Sequence, residues 1–249
     1  MRSEIVLAET VQITGFEGDA VEAYSARCLS DTPRGGVVVI HHMPGYDRAT
    51  KEIARRFAEM GYNAVVPNLH HREAPGAEPD DAAAASRSAG GVPDGRLVGD
   101  VKGAQKYLQS LANSNGKVGV IGFCSGGRQS FLAACSLDLD AAVDCYGAFI
   151  VNTPPAEMPI RMHPLLDLAP NLSCELLGLF GEEDQHPSPA EVAKLSAVLT
   201  ENGKAHEFHS FPGAGHAFFA VDRPAYRVEA ATEGWRLVGD FFAKKLKGR

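Results

Sequence analysis

The chain has 249 residues, 45% of them hydrophobic and 22% charged. That is the make-up of a globular protein with a core large enough to need no staples, and it excludes disordered and fibrous classes. Lys and Arg number 24 against 31 Asp and Glu, for a net charge of −7, so neither nucleic acid nor an anionic membrane is expected as a partner. No apolar run approaches the ~20 residues of a membrane span. Glu4 and Glu9 interrupt the stretch that a secretory signal would keep apolar. Five cysteines without paired spacing make no disulfide framework. A cytoplasmic protein with reduced thiols is the expectation.

Residues 3–13 and 20–28 are strand-like and flank Gly15-Phe16-Glu17-Gly18-Asp19, which predicts an N-terminal antiparallel hairpin. Val37-Val38-Val39-Ile40 is a run of the kind buried on both faces of a parallel sheet. Asp47 can cap a helix to about residue 60, with Ile53, Ala54, Phe57 and Ala58 on one face and Gly61 as its stop. Ala64-Val65-Val66 is the next strand, and residues 74–95, rich in Ala, Gly, Pro and Asp, are expected to form a long surface excursion. Leu97, Val101, Ala104, Leu108 and Leu111 have helical spacing. A strand over 118–121 runs into a glycine-rich turn and a helix to about residue 136, and strands follow at 141–146 and 175–180. Ser188-Pro189-Ala190-Glu191 is a helix start, a strand near 205–211 follows, and an amphipathic helix spans about 224–247. Alternating strands and helices predict a single α/β domain over residues 1–249, with a mostly parallel sheet covered on both faces.

The segment Gly122-Phe123-Cys124-Ser125-Gly126-Gly127 carries the chemistry. A Gly-x-nucleophile-x-Gly turn lets a strand bend sharply into a helix and raises the middle side chain at the helix N-terminus, where dipole and amides favour thiolate over thiol. A nucleophile of this kind needs a base, and the base an orienting acid, in the chain order nucleophile, acid, histidine. Asp184, in Gly181-Glu182-Glu183-Asp184, follows one strand, and His216, in Gly213-Ala214-Gly215-His216-Ala217-Phe218, follows another. Both fall at carboxyl ends of strands, where open parallel sheets bind ligands. Glu182 and Glu183 compete with Asp184 for the role of acid.

With these three motifs, and with the segments Pro67-Asn68-Leu69-His70-His71-Arg72-Glu73-Ala74-Pro75-Gly76 and Gly99-Asp100-Val101, the sequence resembles the dienelactone hydrolase (carboxymethylenebutenolidase) family over residues 35–245. The resemblance implies an α/β-hydrolase fold and hydrolysis of a small ester or enol lactone without a cofactor or metal. It implies Cys124 as nucleophile, His216 as base and later acid, and Asp184 as orienting carboxylate. The backbone amides of Met43 and Ser125 would form the oxyanion hole. Two departures stand out: His42 occupies the place of a family Glu, and Phe218-Phe219-Ala220 follows the histidine where the family carries an Arg. The triad survives these changes, while the acyl donor stays open between a lactone, a broad range of carboxylic esters and a thioester. A non-catalytic ligand-binding relative is a third reading, opposed by the intact triad.

His42 and Arg72 are the expected substrate-binding residues. The pairs His41-His42 and His70-His71 each end a strand, and a right-handed crossover sets those strands side by side. Zinc would need a spaced third or fourth ligand, so these imidazoles are expected to line the pocket or relay protons. Cys28, Cys135, Cys145 and Cys174 read as core residues, and Trp235 as a packing residue.

Overall fold

A computed structural model describes residues 5–158 and 160–247. Strands β1 (Ile5–Thr14), β2 (Ala20–Leu29), β3 (Arg34–Ile40), β4 (Asn63–Pro67), β5 (Ser114–Phe123), β6 (Ala141–Cys145), β7 (Leu176–Gly181) and β8 (His206–Phe211) form one sheet in the order β1-β2-β4-β3-β5-β6-β7-β8. β1 and β2 pair antiparallel, from Ile5 opposite Leu29 to Thr14 opposite Ala20, and β2 runs antiparallel to β4. All other pairs are parallel. The expected hairpin and parallel sheet are both present; residues 3 and 4 of the first expected strand lie outside the described residues.

The apolar strand runs have the burial that a doubly covered sheet demands. Val38 and Ile40 point into one core with Leu97, Val101 and Leu108 of helix α3 (Asp94–Ser110), Phe131 of α4 (Ser125–Ser136), and Leu195 and Leu199 of α5 (Pro189–Glu201). Val37 and Val39 point into the other, with Phe57 of α1 (Arg48–Glu59) and Val238, Phe242 and Leu246 of α6 (Val228–Leu246). The helix starts follow their sequence signals. The Asp47 carboxylate accepts the Thr50 N–H at 2.8 Å, and Ser188 and Glu191 close a reciprocal capping box. The surface excursion contains one further helix, α2 (Pro79–Ser88), begun by Pro79 and buried along Ala82, Ala83 and Ser86. Its alanines favour helix, and its aspartates sit in the first turn, where the dipole welcomes them. No helix among the described residues is long and apolar enough to cross a membrane.

β4 lies on one side of β3 and β5 on the other, so the chain reverses direction across the sheet at β3. The crevice outside the carboxyl ends of β3 and β5 is where such a sheet binds ligands.

Candidate active site

β5 enters α4 through Cys124, whose φ of 58° and ψ of −121° no helix or strand uses. For a residue with a Cβ, such a conformation costs about 1–3 kcal/mol and persists only where its surroundings enforce it. The flanking glycines enforce it here. A Cβ on Gly122 would lie 1.9 Å from the Gly126 carbonyl oxygen, and one on Gly126 would lie 2.4 Å from that of Ile40. The turn therefore presses against the end of β3, beside the loop carrying His41, His42 and Met43. Ser125 is the first residue of α4, where a backbone N–H has no partner within the helix.

Asp184 follows β7 and His216 follows β8. Asp184 is 3% exposed, whereas Glu182 and Glu183 face solvent. One Asp184 oxygen accepts the His186 N–H at 2.9 Å, and the other lies 2.8 Å from Nδ1 of His216. The second side-chain partner of His216 is Cys124. Burial works against the imidazolium, but Asp184 and Cys124 outweigh it and raise His216 from 6.5 to about 10. A value raised in the folded state means that protonation of His216 stabilises the fold fully below pH 6.5, and that this contribution is lost as pH climbs through about 10. The difference in urea midpoint between the native protein and His216→Gln is therefore expected to be widest near about pH 6 and to shrink towards about pH 10. A difference that does not change with pH would contradict this.

The histidine pairs lie in the loops beyond β3 and β4, and each divides into a buried and a half-buried ring. His41, 2% exposed, has both ring nitrogens committed: Nδ1–H donates to the His42 carbonyl at 2.8 Å, and Nε2 accepts the Leu69 N–H at 3.2 Å. Burial, and then the neighbouring His70, push it down to about 3. His70 packs edge-on against His41 with centroids 4.8 Å apart, and burial brings it to about 4. His71 Nδ1 bonds the Asn68 carbonyl at 3.0 Å. The His41 and His70 rings join the β3 and β4 ends as neutral groups. His42 lines a cavity, with its Nε2 on Asp47 Oδ2 at 2.8 Å. Although burial opposes it, the bonds from His42 and Thr50 hold Asp47 at about 2. Where the family carries a carboxylate, this chain thus places an imidazole backed by a carboxylate. Among the described residues no group of three or more His, Cys, Asp or Glu is arranged to hold a metal.

Arg72 does not reach the triad. Its guanidinium makes two bonds to Asp100, at 2.7 and 2.9 Å, and a third to Asp19 at 2.7 Å. Asp100 is fully buried on α3 and also accepts the Phe16 N–H at 2.9 Å. Arg72 is therefore a clamp joining the β1–β2 hairpin turn, the β4 loop and α3. Arg72→Ala would leave the Asp100 charge buried and unpaired, and is expected to cost about 3 kcal/mol in urea unfolding. An unchanged unfolding midpoint together with a raised KM would make Arg72 a substrate ligand instead.

Two features near the site had no reading from sequence. Asp144, fully buried at the end of β6, accepts the Gly147 N–H at 2.7 Å, and burial raises its carboxyl to about 7. A cavity of about 480 Å³ lies between α1 and residues 219–222, lined by Phe123, Tyr146, Phe219 and Trp235 among others. Trp235 does pack, at 5.8 Å from Phe57, but it also walls this cavity.

Comparison with known proteins places this arrangement. Residues 21–246 match the Dienelactone hydrolase family. A protein of Methylorubrum extorquens named "Putative carboxymethylenebutenolidase" is 31% identical over 95% of this chain and 81% of its own length. One of the same name from Salmonella typhimurium is 34% identical over 92% and 84%. A crystal structure of "Putative Dienelactone Hydrolase" from Klebsiella pneumoniae superposes with a TM-score of 0.84 at 27% identity, covering 96% of this chain and 99% of that one. Matched from β2 through the elbow at Cys124 to α6, the chain belongs to the dienelactone hydrolase family.

Proposed function

We propose that the chain hydrolyses small carboxylic esters or lactones through a Cys124–His216–Asp184 triad and an acyl-enzyme on Cys124. The observation that carries this reading is the Asp184–His216 bond of 2.8 Å, which turns the imidazole towards a thiol raised on a strained elbow. As Cys124 Sγ bonds the substrate carbonyl carbon, its proton resides on His216, whose imidazolium form is the favoured one. The tetrahedral oxyanion is met by the Ser125 and Met43 backbone N–H groups, each worth about 3 kcal/mol in such a role. The C–O bond then breaks, and the leaving alkoxide takes the proton from His216. Neutral His216 next removes a proton from water, the hydroxide adds to the thioester, and C–S cleavage releases the acid and restores the thiol. Asp184 fixes the ring's tautomer and steadies its charge without taking the proton itself.

A broad esterase acting on neutral esters is favoured over an enzyme for carboxylate-bearing lactones. No cation follows the base in His216-Ala217-Phe218-Phe219-Ala220, and Phe218 and Phe219 are buried. A p-nitrophenyl acetate burst, stoichiometric with enzyme in the native protein and missing in Cys124→Ala, tests the mechanism. An equal burst in both would end it. Binding of esters without turnover by the native protein would point to the non-catalytic relative.

A further inference from the structure

We infer that the cavity between α1 and residues 219–222 seats an aryl-bearing, uncharged portion of the ester, with Trp235 as its wall. The inference rests on the ester-hydrolase reading above. A volume of about 480 Å³ is no packing defect, since protein interiors leave few voids larger than a water molecule. It lies within the range of small-molecule pockets. It adjoins the triad through two residues: Phe123 precedes the nucleophile, and Tyr146 holds its ring edge-on to His216 at 5.1 Å. From Tyr146 the aromatic lining continues to Phe219 at 6.2 Å and from there to Trp235 at 5.5 Å. Ile53 of α1 also lines the space. Rings presented at such spacings receive another ring edge-on or offset.

Charge stays at the rim. Arg56 lies over the Trp235 ring at 4.5 Å, Glu52 pairs with Arg55, and Arg48 and Asp222 are exposed. An anionic group would thus find no buried cation in the cavity. One glycine keeps the space open. A Cβ on Gly234 of α6 would lie 2.3 Å from Phe219 Cζ, so the Phe219 ring rests in a notch that any side chain there would fill.

Trp235 is the single tryptophan, so its emission reports occupancy directly. In Cys124→Ala, methyl phenylacetate or benzyl acetate is expected to change Trp235 emission saturably, and ethyl acetate is not. In the native enzyme, kcat/KM for one of these aryl esters should exceed that for ethyl acetate by about tenfold to a hundredfold. The ester that gains identifies whether the acyl or the alcohol side occupies the cavity. That ratio should fall about tenfold in Ala49→Leu, which fills the space from α1, and in Gly234→Ala, which pushes Phe219 into it. Cys124-dependent hydrolysis with no saturable Trp235 response and the ratio intact in both variants would overturn the cavity assignment and leave the hydrolase reading standing. A saturable response in a protein that hydrolyses none of the three esters would do the reverse.

Discussion

Cys124→Ala is expected to lower kcat for ester hydrolysis by about 10⁴-fold or more, with the fold retained. Removing a nucleophile takes the covalent route away entirely, leaving only binding and oxyanion stabilisation. The alanine still has to adopt a φ of 58°, so the variant keeps the strain of the elbow and changes only the reacting atom. Iodoacetamide should inactivate the native protein at one equivalent, with the label on Cys124. The competing thiols are shielded: burial holds Cys135 and Cys174 at about 12 and Cys145 well above the ordinary range. Cys174→Ala is therefore expected to keep both the activity and its sensitivity to alkylation. Full activity after stoichiometric alkylation of Cys124 would end the thiol mechanism.

Asp184→Asn is expected to lower kcat by about 10³–10⁴-fold while leaving the fold intact. An amide can still bond His216, but it no longer favours the proton on Nδ1, so the ring loses the tautomer that presents Nε2 to the thiol. The same substitution at the neighbouring acids, Glu182→Gln or Glu183→Gln, should change kcat by less than about twofold, because both side chains face solvent. A large loss at either glutamate, with Asp184→Asn nearly neutral, would move the orienting acid by one or two residues.

Features whose causes are local were visible in the chain itself. The elbow is written within six residues from Gly122 to Gly127, the cap at Asp47 acts three residues away on Thr50, and Val37 to Ile40 declare a doubly buried strand. Asp184 and His216 could be placed because each follows its strand directly. Features whose partners are distant were not visible. Arg72 reads as a free loop cation until the fold brings Asp19, 53 residues away, and Asp100, 28 away, against it. Asp144 looks like one polar residue in an apolar strand; only the covering of both sheet faces makes it a buried carboxyl. Helix α2 is hidden by composition, because Ala and Asp between Gly and Pro suit a loop as well as a helix. The aromatic cavity needs α1, the 219–222 segment and α6 to meet, which no window of sequence contains. The glycine at 234 was the one sequence signal that could have pointed to it, since glycine inside a helix costs about 1 kcal/mol against alanine and asks for a reason.

α6 follows all eight strands in the chain, yet its Phe242 and Leu246 complete the core formed by Val37, Val39, Ile121 and Val143. The Leu246 carbonyl is also tied to Asn115 Nδ2 at 2.8 Å, at the start of β5. At a synthesis rate of about 5–20 residues per second, this face of the sheet has only α1 for cover for many seconds after β3 has left the ribosome. A nascent chain in that interval carries a broad β-rich apolar face, the kind of surface that chaperones hold and that otherwise joins with its neighbours. Residues 206–246 close that interval, and the same stretch delivers His216 to the elbow. Shelter from aggregation and the assembled site therefore arrive together, and a half-made chain can offer neither.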